Sequence, residues 1–106
     1  MGTQLQLILC QLRRALEGLY GLRLSSIVLF GSQARGTAVS GSDIDILIVL
    51  NGSMSPGQEI RRVSKITASI SLQHNDVISS TFVSADRFAS EQSPLLINVR
   101  REGIPV

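Results

Sequence analysis

The chain has 106 residues, 43% of them hydrophobic and 17% charged, which predicts one globular domain over residues 1–106 rather than a disordered protein. Ten basic and eight acidic residues give a net charge of +2, and aromatic residues make up only 4%, so the dense basic and aromatic surface of a nucleic-acid binder is absent. No apolar run is long enough to span a membrane, and the N-terminus lacks a secretory signal. The single cysteine, Cys10, excludes an internal disulfide and is expected in the core of a cytoplasmic protein.

The first half of the chain predicts one helix and two strands. Apolar residues recur at helical spacing over residues 4–20, which predicts an amphipathic helix ending at Gly21. A short apolar run at 26–30 predicts a buried strand. The Gly- and Ser-rich residues 31–42 predict a turn with room for a short helical piece, and residues 43–50 predict a second strand.

The second half predicts a helix, a strand and two further helices. Ser55 followed by Pro56 is typical of a helix start, and the apolar stripe continues to about residue 72. Residues 77–83 predict a third strand, followed by a short helix near Ser84 and a last helix after Ser93-Pro94. The sequence therefore predicts a small α/β domain, with one mixed sheet of three or more strands and helices packed mainly on one face.

Two aspartates mark the start of the second strand. Asp43 and Asp45 are two residues apart, so both carboxylates leave the same face of the sheet. Two negative charges on a largely buried strand are costly unless a cation or a shared proton compensates them. Oxygen ligands without a nearby His or Cys favour a hard ion, Mg²⁺ or Mn²⁺. An exposed polar strand edge is the alternative interpretation of the pair.

A glycine-containing turn directly follows the first strand. Gly31 allows backbone N–H groups to approach a phosphate closely, Ser32 adds a hydroxyl, and Arg35 adds a charged fork suited to phosphate oxygens. Alone, such a turn indicates structure rather than function. Beside a divalent-cation site, it indicates phosphoryl or nucleotidyl transfer.

These motifs resemble a known superfamily. Gly31-Ser32, ten intervening residues and Asp43-Ile44-Asp45 resemble the signature of the DNA polymerase beta-type nucleotidyltransferase superfamily. Ala34-Arg35-Gly36 and Ser42-Asp43-Ile44-Asp45 are similar to its minimal nucleotidyltransferase branch, and the ending Arg100-Arg101-Glu102-Gly103 also resembles members of that branch.

The resemblance implies metal-dependent transfer of NMP from an NTP, expected to be ATP, to an acceptor hydroxyl, with release of pyrophosphate. Asp43 and Asp45 would bind the metal and act in catalysis. The nucleotide would be held by four residues: Gly31, Ser32, Arg35 and Ser42.

The family pattern also includes a third carboxylate on a neighbouring strand, and here the sequence departs from it. Asp76, at the start of the third predicted strand, is our candidate for the third catalytic and metal-binding carboxylate. The family more often places this aspartate inside the strand, a position that corresponds to Thr81. The two positions are roughly 16 Å apart along a strand and point to opposite faces. If the Thr81 register applies, the site is incomplete.

The resemblance also implies a partner. Stand-alone minimal domains of this kind are paired with a helical protein, typically of HEPN type, in a toxin–antitoxin pair, and the acceptor hydroxyl would lie on that partner. One alternative is a binding module without catalysis that neutralises its partner by covering it. Another is transfer to a small molecule by a homo-oligomer.

Overall fold

The computed structural model describes residues 2–106 as alternating helices and strands. Its elements in chain order are α1 (Thr3–Tyr20), a 3-10 turn (Gly21–Arg23), β1 (Leu24–Phe30), α2 (Gly31–Arg35), β2 (Ile44–Leu50), α3 (Pro56–His74), β3 (Ile78–Ser84), α4 (Ala85–Ser90), α5 (Pro94–Glu102) and β4 (Ile104–Pro105). The predicted α/β class is confirmed, and the predicted turn 31–42 begins with the short helix α2.

The four strands form one mixed sheet in the order β3-β2-β1-β4. β2 runs antiparallel to β1 and parallel to β3, while β4 pairs antiparallel with β1. A parallel connection needs a long crossover, which α3 supplies between β2 and β3. Because β2 is covered on both faces, residues 46–50 are all buried, and this part of the strand is an unbroken apolar run rather than an alternating one.

The two faces of the sheet carry different layers of helices. The long helices α1 and α3 pack on one face, where residues such as Leu12, Ile46 and Val63 form the larger apolar cluster. On the other face Leu47 and Val49 meet Leu96 of α5 in a smaller cluster. The prediction that helices lie mainly on one face therefore holds for the long helices, while α4 and α5 cover part of the opposite face.

The prediction that Cys10 is a core side chain is wrong. Cys10 is exposed, whereas Ile8, Leu9, Leu12 and Leu16 of the same helix are buried. Each helical residue advances about 100° around the axis. Two residues away from both Ile8 and Leu12, Cys10 therefore points away from the sheet.

A buried carboxylate ties α1 to α3. The Tyr20 hydroxyl donates to Oε1 of Glu59 over 2.7 Å, and Glu59 is only 2% exposed. Arg62 and Arg23 approach the same carboxylate, at 3.3 and 3.7 Å. Two cations and one hydroxyl compensate the buried charge. The network lies at the end of the sheet opposite Asp43, because Glu59 belongs to the first turn of α3, after β2 has ended.

Candidate functional site

The pairing of β1 with β2 brings the glycine turn next to Asp45. Phe30, the last residue of β1, is the register partner of Asp45, so Gly31 follows directly beside that carboxylate. Gly31 has φ +74°, and a Cβ built there would overlap Oδ2 of Asp45 and lie 3.2 Å from its Cγ. A side chain at this position would collide with the carboxylate and would also adopt a disfavoured backbone conformation. The close approach of backbone and carboxylate therefore requires glycine.

The two aspartates act on each other electrostatically. Asp43 is exposed just before β2, and Asp45 is half-buried inside it. Burial and the neighbouring Asp43 charge raise the pKa of Asp45 above its usual value, and Arg35 opposes this rise. The pair is thus a concentration of negative charge that a cation would stabilise. Mg²⁺ is commonly held by one or two carboxylates together with waters and substrate phosphates, so Asp43 and Asp45 fit such an ion.

Helix α2 presents Arg35 at the rim of this pair. The helix ends at Gly36, which has left-handed φ and ψ of 76° and 17° and donates its N–H to the Ser32 carbonyl. Nη1 of Arg35 lies 3.7 Å from Oε2 of Glu102, the last residue of α5. An arginine on α2 therefore pairs with Glu102 and acts electrostatically on Asp45.

The loop between α2 and β2 is closed by Ser42. Its hydroxyl accepts the Val39 N–H over 2.9 Å, and its carbonyl accepts from the Gln33 side chain over 3.5 Å. Ser42 thus holds the loop in shape next to Asp43, and its predicted contact with nucleotide stays a prediction.

The backbone next to Asp76 lies beside the start of β2, since the Ile44 N–H donates to the Val77 carbonyl over 2.8 Å, but the Asp76 side chain is bonded elsewhere. Its Oδ2 accepts from Nε2 of Gln4 over 2.9 Å, which ties it to α1 on the face of the long helices. Within residues 2–106, no three His, Cys, Asp or Glu side chains are grouped as a metal site. The Asp76 carboxylate is thus engaged by α1 and is not grouped with the aspartate pair among the described residues, and its role as a third metal ligand stays a prediction.

The neighbouring strand carries hydroxyls on the face of the aspartates. Ser79 is the register partner of Asp45, and Thr81 is the partner of Leu47. Register partners on adjacent strands point to the same side of a sheet. The position that the family resemblance assigns to the third carboxylate thus lies on the expected face, and it is occupied by threonine.

Sequence reasoning assigned no role to Glu102, although it lies at the rim of the site. The sequence feature that could have pointed to it is the ending Arg100-Arg101-Glu102-Gly103, which resembles members of the minimal nucleotidyltransferase branch. Which of these charges faces Arg35 depends on where α5 ends, and that is set by the packing of Gly103.

Comparison with known families agrees with this geometry. A family model described as "Nucleotidyltransferase domain" matches residues 9–99, which include both aspartates and the glycine turn. The chain belongs to the nucleotidyltransferase domain family. Membership confirms the resemblance and classes the chain among transferases of phosphorus-containing groups.

A curated relative matches over a short segment. A Methanocaldococcus jannaschii protein named "Putative protein adenylyltransferase" is 60% identical over 30 residues, which make up 28% of this chain and 20% of the relative. The matched segment therefore spans a fifth of that relative's length.

Two solved structures share the fold. One is described as a "toxin-antitoxin with AMP-PNP" and has a TM-score of 0.60 at 22% identity. The match covers 89% of this chain and 68% of the chain in that structure. The other, a "putative nucleotidyltransferase" from Sulfolobus solfataricus, has a TM-score of 0.56 at 19% identity. The match covers 99% of this chain and 86% of the chain in that structure. At these identities the likeness concerns the fold. None of the helices described between residues 2 and 106 has the length and apolar character needed to cross a membrane.

Proposed function

We propose that this domain binds a nucleoside triphosphate with Mg²⁺ or Mn²⁺ and transfers its NMP, AMP in the case of ATP, to a hydroxyl on a helical partner protein of a toxin–antitoxin pair. The observation that carries the proposal is the contact of Gly31 with Asp45, since it joins a glycine turn suited to phosphate with a carboxylate pair suited to a cation. Family membership supports nucleotidyl transfer. The likeness to a toxin–antitoxin structure supports a protein partner.

Each part of the site has a task in this proposal. Asp43 and Asp45 would hold the metal, which when bound neutralises charge on the phosphates. The backbone at Gly31 and the Ser32 hydroxyl would hold the β- and γ-phosphates, and Arg35 would add a bidentate contact to phosphate oxygens. Ser42 keeps the loop next to Asp43 in shape.

In the transfer itself, the acceptor oxygen bonds to the α-phosphorus. The bond from that phosphorus to the oxygen bridging to the β-phosphate breaks, and pyrophosphate leaves. The hydroxyl proton passes to solvent or to a base of the partner, because Asp76 is engaged by α1. The partner is proposed to be a HEPN-type protein, and the cytoplasm, where NTP is available, is the proposed location.

A second candidate function is a binding module that neutralises its partner without transfer. The observation that favours it is the register of Thr81, the residue at the position that the family resemblance assigns to the third carboxylate: as the partner of Leu47 it lies on the face of Asp45. A domain that keeps Asp43 and Asp45 but lacks the third carboxylate would retain nucleotide binding and lose rate, because that carboxylate serves the attacking hydroxyl.

The experiment that tests these proposals is incorporation of labelled AMP from ATP and Mg²⁺ into the protein that co-purifies with the chain. Transfer by the wild type and its loss in Asp43→Asn would support the enzyme. The Thr81→Asp variant adds a carboxylate at this position, and Thr81→Asn is its uncharged control of the same shape. We expect Thr81→Asp to increase the transfer rate while both variants keep the wild-type melting temperature to within a few degrees.

The outcomes separate the two functions. A wild type that labels nothing, but silences its partner and gains transfer through Thr81→Asp, would establish the binding module. A wild type that neither labels the partner nor gains a higher melting temperature from Mg²⁺ and ATP would overturn the nucleotide site itself, because a ligand of the folded state must stabilise it.

A further inference from the structure

Glu102 is held in a fixed place beside the candidate site. The N–H of the next residue, Gly103, donates to the Val99 carbonyl over 2.8 Å. A Cβ at Gly103 would overlap the Val28 side chain and the Val99 carbonyl, so the chain is packed closely against β1 at this point. β4 then pairs with β1, the strand that leads into Gly31. The backbone around Glu102 is therefore fixed relative to the glycine turn.

Arg35 connects this glutamate electrostatically with the aspartate pair. Its Nη1 is 3.7 Å from Oε2 of Glu102, and its charge acts on Asp45. The other oxygen of Glu102 is 3.5 Å from Nη2 of Arg101. Arg35 is thus paired with the carboxylate of Glu102 on α5 and acts electrostatically on Asp45 in β2.

A guanidinium fixed before its ligand arrives binds more tightly than a mobile one. A half-exposed arginine loses rotamer freedom when it grips a phosphate, and a carboxylate on a rigid element removes part of that cost in advance. The guanidinium has five N–H donors in a planar fork, and its 3.7 Å approach to Glu102 is longer than a hydrogen bond. Donors therefore remain for phosphate oxygens.

We propose that Glu102 is a positioning residue that holds the guanidinium of Arg35 toward the phosphates of the bound nucleotide. The inference rests on the proposed nucleotide site and deepens it. Glu102 does not touch the nucleotide in this proposal, and it acts through Arg35 alone.

The proposal predicts that the effect of the Glu102 charge on nucleotide affinity depends on whether Arg35 is present. By itself, a carboxylate near a triphosphate lowers affinity through repulsion. Its favourable effect exists only while Arg35 is present to be positioned. Removing the charge should therefore weaken nucleotide binding in the wild type and should leave it equal or stronger once Arg35 is absent.

The test is a double-mutant cycle on Mg²⁺–ATP affinity, measured by titration calorimetry. Glu102→Gln is expected to weaken binding about two- to fivefold in the wild type, which is the scale of a partly exposed ion pair. In the Arg35→Ala background, the same substitution is expected to cause no loss. Glu91→Gln is the matched control, since Glu91 also pairs with an arginine and has a similarly exposed side chain, 33% against 34% for Glu102. It should leave affinity unchanged.

Each other result overturns the inference. Equal weakening in both backgrounds would show that Glu102 only supports the end of α5. An unchanged affinity in Glu102→Gln, in a protein that binds Mg²⁺–ATP and loses binding through Asp43→Asn, would remove the role of Glu102 and leave the proposed function standing. A wild type that binds no Mg²⁺–ATP would overturn the proposed function and this inference together.

Discussion

Replacing Gly31 by alanine tests the contact on which the candidate site depends. Gly31 and Gly36 have nearly the same φ, +74° and +76°, but a Cβ at Gly36 would meet nothing within 4 Å, whereas one at Gly31 would overlap the Asp45 carboxylate. Gly36→Ala therefore carries only the cost of the left-handed backbone, about 1–2 kcal/mol. Gly31→Ala adds the cost of crowding, about 1–3 kcal/mol.

The measurement is urea unfolding of both variants at neutral pH. A domain of this size is stable by roughly 5–15 kcal/mol, so both variants should remain folded. With a slope of about 1–3 kcal/mol per molar urea, the midpoint of Gly31→Ala should lie about 1 M below that of Gly36→Ala.

A rescue experiment identifies the clashing group. In an Asp45→Ala background the atoms that a new Cβ would overlap are gone, and the remaining Cβ of residue 45 is at an ordinary 3.4 Å. Gly31→Ala should then cost no more than Gly36→Ala. If the two glycine variants are equally destabilised in the wild type, or if the extra cost persists without the Asp45 carboxylate, the close contact of turn and carboxylate is refuted.

Three further predictions concern other parts of the chain. Burial and the hydrogen bond to Glu59 raise the pKa of Tyr20 above its ordinary 10.0, so the folded state holds the phenol proton more tightly than the unfolded chain. The free energy of unfolding should therefore keep its full value below about pH 10 and fall above it, and urea unfolding of Tyr20→Phe should show a flatter dependence on pH. Ser32→Ala should weaken Mg²⁺–ATP binding by about 1–2 kcal/mol in calorimetry without lowering the melting temperature, and equal affinity would reduce Ser32 to a structural residue. Asp76→Asn should leave both ATP affinity and AMP transfer unchanged, because Asp76 is hydrogen-bonded to Gln4 of α1; a loss of transfer with unchanged affinity would return Asp76 to the site.

Most of the fold follows from local patterns in the sequence. The periodicity of residues 4–20 and the Ser55-Pro56 start predicted α1 and α3 to within two residues at each end. β4 was not predicted, because a strand of two residues that includes Pro105 has neither alternation nor β-branched density to announce it. Its existence depends on pairing with β1, which is a tertiary interaction.

In the site, too, features formed by residues close in sequence were predicted, and contacts between residues far apart in sequence were not. The aspartate pair and the glycine turn are close in sequence, so their chemistry was predicted from residue types and spacing. The positions of Asp76 and Glu102 depend on distant packing: Asp76 meets Gln4 of α1, and Glu102 meets Arg35 of α2. Neither contact leaves a pattern in the residues that make it.

The pairing of β4 with β1 has a consequence for how the molecule opens. β1 and β2 are joined by only 13 residues, 31–43, so the entropy lost on closing this connection is small, whereas β4 returns to β1 from the far end of the chain. A two-residue edge strand should be among the first segments to open in native-state fluctuations, and its amides should exchange with solvent before those of β2. Each such opening would remove one of the two restraints on the backbone next to Glu102, while the packing of Gly103 against Val28 and the Gly31–Asp45 contact persist. The position of Glu102 beside Arg35 would then vary on the timescale of local unfolding, independently of the carboxylate pair.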